Sequence, residues 1–216
     1  MISMLRTAIA TIAVGSTAMC FAQVRVIPGE PEEDCGARTP ARVCLGTSGT
    51  DHCFAPSSTN LYIFGLEPEA VQIGRIDTKP LVLFSATFSG CGSGTLTDYS
   101  LLIVNNGEFV NLAPVIRLSK QSEYKVWRVP EISRYPVLAT ADFIWDFKAL
   151  ENSGGQEETH FARHRYHVQA YVYDPVAHSY IQKAAFDTVR KYKGLDETDE
   201  IRVLNSEKSE VLKRLR

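Results

Sequence analysis

Ten short runs of strand-forming residues, separated by turn residues, occupy the chain from Leu61 onward. Most are rich in Val, Ile, Leu, Tyr or Phe and are bounded by Gly, Pro, Asn, Asp or Ser, a pattern that predicts an antiparallel β domain. The runs are Leu61–Phe64, Val71–Ile76, Leu81–Phe88, Tyr99–Val104, Glu108–Leu112, Val115–Leu118, Glu123–Val129, Val137–Trp145, Phe161–Tyr173 and Ser179–Val189. We therefore expect a mainly β chain.

The architecture that fits these runs best is one antiparallel sandwich or barrel-like domain. Leu81–Phe88 is apolar on both faces, which is typical of a central strand. Asn106-Gly107 suits the positive φ angles of a type I′ hairpin. The segments KPLVLFSATFSG and YPVLATADFIWD resemble each other, so an alternative is a small propeller-like repeat of β units. Propellers need four or more blades, for which little chain is available.

Composition divides the chain into four parts. Residues 1–22 read as a leader, and residues 23–60 are rich in Cys, Pro and Gly and are expected to be an extended arm. The β domain spans 61–193, and 194–216 hold an acidic linker and a helix.

The only clear helix signal is at the C-terminus. Ser206 is predicted to cap it, with acidic residues in its first turn and with Lys213 and Arg214 in its last turn. Its apolar side consists of Val211, Leu212 and Leu215.

The N-terminal segment predicts export. Arg6 precedes an apolar stretch that ends near Met19, and small residues stand where a signal peptidase would cut after Ala22. No second long apolar run follows, so no transmembrane segment is expected. Without residues 1–22 the chain has 22 Lys and Arg against 25 Asp and Glu, a net charge of −3. Export and this charge argue against nucleic acid as a partner. We expect a periplasmic or secreted protein.

Four cysteines remain after the leader: Cys35, Cys44, Cys53 and Cys91. An even number in an exported chain predicts two disulfides. Three pairings are open, and the sequence favours Cys35–Cys44 with Cys53–Cys91, because the first closes a short loop and the second ties the arm to the domain. Their spacing lacks the close ligand pairs of structural zinc sites.

The stretch EETHFARHRYHVQAYVY, residues 157–173, contains the strongest candidates for function. From Ala162 onward its residues alternate between a mainly apolar face and a polar face, as in a strand with one buried side. Arg and Tyr are enriched in binding hot spots. The outward face is therefore predicted to be a binding surface formed by Arg163, Arg165, His167, Tyr171 and Tyr173.

A catalytic or metal site is the second interpretation of this stretch. Glu158, His160 and His164 are the candidate metal ligands. On a regular strand about 13 Å would separate the backbones of the two histidines, so we expect no metal. The glycine-rich SGCGSGT lacks the spacing of a phosphate-binding loop, and no cofactor is expected.

Two functional hypotheses follow. The first is an exported, non-catalytic binding or inhibitor protein that recognises another protein or a cell-envelope component through its surface. The alternative is a secreted hydrolase with a site assembled from Asp142, Glu158, His160 and His164. The absence of an intact catalytic motif in the sequence favours the first.

Overall fold

A computed structural model of the 216-residue chain describes residues 24–31, 37–46, 52–56, 66–89, 95–119, 121–145, 163–193 and 202–216. These residues form antiparallel strands and a single C-terminal helix. The prediction of a mainly β fold is therefore confirmed. None of the helical residues in these ranges forms a helix long and apolar enough to cross a membrane.

Fifteen strands and one helix follow one another along the described chain. The strands are β1 (Val24–Ile27), β2 (Glu30–Pro31), β3 (Ala37–Thr39), β4 (Arg42–Leu45), β5 (His52–Phe54), β6 (Leu66–Ile76), β7 (Lys79–Ser89), β8 (Thr95–Asn105), β9 (Glu108–Asn111), β10 (Ile116–Ser119), β11 (Glu123–Trp127), β12 (Val137–Ile144), β13 (Arg163–Asp174), β14 (Ser179–Asp187) and β15 (Tyr192–Lys193), and the helix is α1 (Val203–Leu215). Each predicted run from Val71 onward overlaps one of these strands. The run Leu61–Phe64 lies outside the described residues.

Two five-stranded sheets form the centre of the molecule. In the first sheet, β7 lies between β6 and β8, and the far edge of β8 is shared by β9 and β10. In the second sheet the order is β11-β12-β13-β14, and β15 pairs with the start of β13. The central position of β7 confirms the prediction for Leu81–Phe88. Asn106 and Gly107 have φ angles of 51° and 82°, which fit the predicted hairpin turn.

The two sheets pack face to face around the main apolar core. This core contains residues from both sheets: Ile76, Leu81, Leu83, Leu101, Ile103, Leu112, Ile116, Leu118, Tyr135, Leu138, Tyr171, Tyr173 and Tyr180. Such packing of two inner faces is the sandwich arrangement. It also places the two similar sequence segments in different sheets, as β7 and β12, rather than in successive blades.

The outer faces of both sheets are covered as well. Helix α1 lies on the second sheet, where Val203, Leu204 and Val211 are buried against residues that include Tyr166 and Val168. A three-stranded sheet, β1-β4-β5, covers the first sheet, with Val43 packed near Phe84. The described residues of the segment expected to be an extended arm thus contribute a packed layer, and the described elements together form four layers.

Helix α1 begins three residues earlier than its predicted cap. Its first residue is Val203, and Ser206 lies inside the first turn, which contains no acidic residue. Both predictions about this end are wrong. The start is instead fixed by burial of Val203 and Leu204 and by the carboxylate of Glu123 on β11, which accepts a hydrogen bond from the Leu204 N–H at 3.0 Å. Lys213 and Arg214 do occupy the last turn.

A disulfide joins Cys44 to Cys53. The predicted pairs Cys35–Cys44 and Cys53–Cys91 are therefore wrong, and Cys35 and Cys91 themselves lie outside the described residues. Cys44 and Cys53 stand directly opposite each other on β4 and β5, with their Cα atoms 4.1 Å apart. The register of this strand pair, which the spacing of the cysteines does not reveal, determines the bond. Closing so short a loop stabilises the fold by roughly 2–3 kcal/mol.

Candidate functional site

Strand β13 carries the stretch that the sequence singles out, and one of its faces is buried as predicted. His164, Tyr166, Val168 and Ala170 are each at most 1% exposed. The last three pack with the residues beneath α1. The alternation between apolar and polar positions therefore identifies this face correctly.

The opposite face of β13 divides into two parts. Tyr171 and Tyr173 are only 5% and 7% exposed, because they pack into the core between the two sheets. The prediction that these tyrosines lie on an open face is wrong. Alternation shows which residues share a face of a strand, but it does not show that both faces of this sheet are covered, one by the first sheet and the other by α1.

The N-terminal part of that same face is open. Arg163 and Arg165 are exposed, and His167 is half-buried. His167 Nδ1 lies 2.7 Å from Asp187 Oδ1 on β14. Three of the five predicted binding residues are therefore accessible, and a carboxylate holds one of them in place.

The inner face of the first sheet changes from apolar to polar partway along its strands. Leu83 and Leu101 are paired across β7 and β8 and belong to the core. The next pairs along these strands are Ser85 with Tyr99 and Thr87 with Thr97. All four of these polar residues are half-buried. A sandwich that was dry throughout would carry apolar side chains at these inward positions.

The inner face of the second sheet changes in the same way. Leu138 pairs with Tyr171 in the core, and the next pairs along β12 and β13 are Thr140 with Gln169 and Asp142 with His167. Tyr124 of β11 pairs with Thr140 and extends this row. We call the nine residues of the two faces the polar end: Ser85, Thr87, Thr97, Tyr99, Tyr124, Thr140, Asp142, Gln169 and His167.

Asp142 connects the two sheets at the polar end. Its carboxylate accepts hydrogen bonds from the backbone N–H of Ser119 at 3.2 Å and from the Ser119 hydroxyl, and also from the Phe143 N–H at 3.0 Å. Burial raises the pKa of Asp142, while the hydrogen bonds from Ser119 and Phe143 and the nearby His167 lower it. The carboxylate is thus fixed in position, with His167 beside it in the same row.

The amide of Gln169 is held in a short chain of hydrogen bonds. The Tyr171 hydroxyl donates to Gln169 Oε1 at 3.0 Å, and Gln169 Nε2 donates to Gln182 Oε1 at 3.3 Å. Its neighbour Thr140 is different, because its hydroxyl is buried and has no hydrogen-bond partner among the described residues. A buried hydroxyl without a partner costs stability.

Two tyrosines from opposite sheets meet at the margin of the polar end. The ring centroids of Tyr99 and Tyr124 are 5.1 Å apart, and their planes are inclined by 54°. Glu69 of β6 pairs with Ser85, which pairs with Tyr99, so these three residues form one row across the first sheet. Burial raises the pKa of Tyr99 to about 12, and Tyr124 and the Glu69 carboxylate contribute to the same direction.

The residues predicted for a hydrolase do not converge where they are described. Asp142 pairs with His167 and shares its face. His164 is three residues away from His167 and therefore lies on the opposite face of β13, where its ring contacts Phe143 and Trp145 at 5.4 and 5.6 Å. The structure thus separates Asp142 from His164. Glu158 and His160 lie outside the described residues.

The residues predicted as metal ligands are also described only in part. Within the described ranges, no three His, Cys, Asp or Glu side chains form a group that could hold a metal ion. Of the three candidate ligands, only His164 falls in these ranges.

Most residues of the polar end are not predicted from the sequence. Ser85 and Thr87 occur inside a run that reads as apolar on both faces, and Thr97 precedes the predicted start of its strand. A signal was present in the sequence. Counting in twos from Leu81 and Leu83 leads to Ser85 and Thr87, so one face of that run ends in polar residues.

The fold and this site define a β-sandwich whose inner faces are apolar at one end and polar at the other. Comparison with known proteins finds no family model that matches the chain, no curated protein similar to it and no similar solved structure.

Proposed function

We propose that this chain is an exported, non-catalytic binding protein that recognises its partner through the polar end and the adjoining open face of β13. That open face contributes Arg163, Arg165 and His167. The partner is another protein or a component of the cell envelope.

The observation that carries this proposal is the polar lining of one end of the sandwich interior. Its side chains include donors and acceptors that are held by their neighbours, such as Gln169 and Asp142. Side chains that are fixed before binding lose less conformational entropy on association. The buried hydroxyl of Thr140, which has no hydrogen-bond partner within the described ranges, is a further donor and acceptor that a bound group could satisfy.

Export is supported by two independent features. The leader-like composition of residues 1–22 is one. The Cys44–Cys53 disulfide is the other, because disulfides persist mainly in oxidising compartments.

Capture from secreted and periplasmic fractions tests the proposal. The baits are the wild-type protein, the double variant Arg165→Ala/His167→Ala, the single variant Gln169→Ala, and Arg128→Ala as a control. Arg128 is an exposed cation just after β11 and outside the polar end. We expect a partner that the wild type and the control retain equally and that the polar-end variants lose, with affinities weakened by about tenfold or more.

Affinities of the purified partner for the four baits decide the result. Equal affinities for all four would place recognition elsewhere on the molecule and overturn the proposal. Urea melts of each bait confirm that a loss of binding is not a loss of folding.

A further inference from the structure

The margin of the polar end combines two aromatic rings with a carboxylate. Tyr124 is 36% exposed, and its ring meets that of Tyr99 from the opposite sheet at a centroid distance of 5.1 Å. Glu69 is exposed and stands in the same row of the first sheet as Tyr99. Neighbouring strands are about 4.8 Å apart, so the backbones of Glu69 and Tyr99 are separated by about 10 Å, with the short side chain of Ser85 between them.

The Tyr124 ring is partly open to solvent, whereas Tyr99 is half-buried and packs against the main core. At an inclination of 54° the two planes are tilted rather than stacked. The face of an aromatic ring carries partial negative charge and attracts a cation within about 6 Å of its centre. The exposed part of the Tyr124 ring and the exposed Glu69 carboxylate both attract a cation.

Glu69 has no cation of its own in the parts of the chain that the structure describes. The ion pairs there engage other carboxylates, among them Asp98 with Arg117 and Asp187 with His167. The Glu69 carboxylate also helps to raise the pKa of both Tyr99 and Tyr124, after burial as the main cause. The carboxylate therefore acts electrostatically on both phenols, and it would act on a cation bound beside them as well.

We propose that Glu69, Tyr99 and Tyr124 form a subsite for an organic cation, namely an ammonium or guanidinium group. This inference rests on the proposed function and specifies part of its chemistry. Two kinds of ligand carry such a group. One is a partner protein with a lysine or arginine side chain, and the other is a free small-molecule amine.

The first test uses a matched pair of small probes. Nα-acetyl-arginine amide carries the guanidinium group, and Nα-acetyl-citrulline amide is its neutral counterpart of nearly the same shape. Protein with ¹³C-labelled tyrosine is titrated with each probe and followed by NMR. We expect saturable shifts of the Tyr99 and Tyr124 ring signals with the arginine probe, and binding at least tenfold weaker with the citrulline probe.

Substitutions then test which residues are responsible. Glu69→Gln removes the charge and Tyr124→Leu removes one ring, and each is expected to weaken binding of the arginine probe by about fivefold to tenfold. Glu131→Gln is the matched control, because Glu131 is an exposed carboxylate in the turn after β11, outside this site. The control is expected to bind like the wild type. Dispersed spectra verify that each variant is folded.

A second titration separates the two sources. An acetylated, amidated peptide with one central arginine is compared with agmatine, a free guanidinium amine. Tighter binding of the peptide identifies a protein side chain as the ligand, and tighter binding of agmatine identifies a small amine.

Two results would overturn the inference. One is equal binding of the arginine and citrulline probes, and the other is unchanged binding by Glu69→Gln. The proposed function is tested separately, because a captured partner that is lost by Arg165→Ala/His167→Ala and retained by Glu69→Gln would leave that function standing while this subsite fails.

Discussion

Gly74 is a residue at which the packing of the two sheets leaves no room for a side chain. A Cβ atom built there would lie 2.5 Å from Cγ of Pro136. The proline ring cannot swing away, and the carbonyl group of Pro136 accepts a hydrogen bond from the buried Tyr180 hydroxyl at 2.9 Å. The close approach of β6 to the segment before β12 therefore requires glycine.

We predict that Gly74→Ala lowers the free energy of unfolding by about 1–3 kcal/mol, the usual cost of overpacking. Val71→Ala at an exposed position of the same strand is the control and should cost no more than about 0.5 kcal/mol. Urea melts measure both. Equal small effects of the two substitutions would show that β6 and Pro136 are not in close contact.

Asp142 is a residue whose ionised form is less stable in the folded protein than in the unfolded chain. Burial raises its pKa more than the hydrogen bonds from Ser119 and Phe143 lower it. A raised pKa means that the folded protein binds this proton more readily than the unfolded chain does. The contribution of Asp142 to the free energy of unfolding therefore increases as pH falls through the folded pKa, and decreases as pH rises.

The variant Asp142→Asn tests this sign. Asparagine does not titrate, so the wild type should gain stability relative to the variant as pH is lowered from neutral towards the ordinary aspartate value of 3.8. Urea melts of both proteins across this pH range give the difference. A gain by the variant on acidification would mean that hydrogen bonding, and not burial, dominates at this carboxylate.

At the scale of single elements, β13 is the strand with two environments on one face. Arg165 and Tyr171 point to the same side of the strand. Arg165 is exposed, whereas Tyr171 is only 5% exposed and lies in the core. We predict that Tyr171→Ala lowers the free energy of unfolding by about 3 kcal/mol, whereas Arg165→Ala changes it by no more than about 0.5 kcal/mol. Similar values from urea melts would contradict the division of this face.

Helix α1 is the element whose docking depends on a distant residue. The carboxylate of Glu123 accepts from the Leu204 N–H, and burial raises the pKa of that carboxylate. We predict that Glu123→Ala destabilises by about 1 kcal/mol, as loss of a helix cap does. Glu123→Gln keeps an acceptor without a buried charge and should cost less. Hydrogen exchange of the α1 amides provides the measurement, and unchanged exchange in Glu123→Ala would show that the cap has no role.

At the scale of the whole molecule, the positions of the strands can be predicted from the sequence better than the elements that pack on their faces. Period-two alternation is a local property, so the run around Val168 could be assigned correctly from its own residues. The burial of Tyr171 depends on the first sheet, and the start of α1 depends on Glu123, 81 residues before Leu204. The Cys44–Cys53 bond depends on the register of β4 and β5. Each of these is a contact between elements, which alternation and spacing do not encode.

The polar end was missed for a related reason. Serine and threonine occur on exposed strand faces in most β proteins, so Ser85 and Thr97 carry no signal by themselves. Their importance comes from facing Thr140 and Asp142 across the sandwich. These hydroxyl groups are far apart in the sequence and share one interior only because the two sheets pack face to face. The proposed function rests on that arrangement.

The central claim is that the polar end is kept for recognition although it costs stability, and Thr140 allows the most direct measurement. Thr140 and Thr188 are each 1% exposed, but the Thr140 hydroxyl has no hydrogen-bond partner in the part of the chain that the structure describes. The Thr188 hydroxyl accepts from the Tyr166 N–H at 2.9 Å and donates to the Arg190 carbonyl at 2.8 Å. Valine has nearly the shape of threonine and lacks the hydroxyl, which makes the two substitutions a matched pair.

We predict that Thr140→Val raises the free energy of unfolding by about 1 kcal/mol, because it removes an unsatisfied buried group. Thr188→Val should lower it by about 1–3 kcal/mol, because it leaves the Tyr166 N–H without its acceptor. Urea melts of the two variants and the wild type give both values. A loss of stability in Thr140→Val comparable to that in Thr188→Val would show that the Thr140 hydroxyl serves the fold, and would contradict the account.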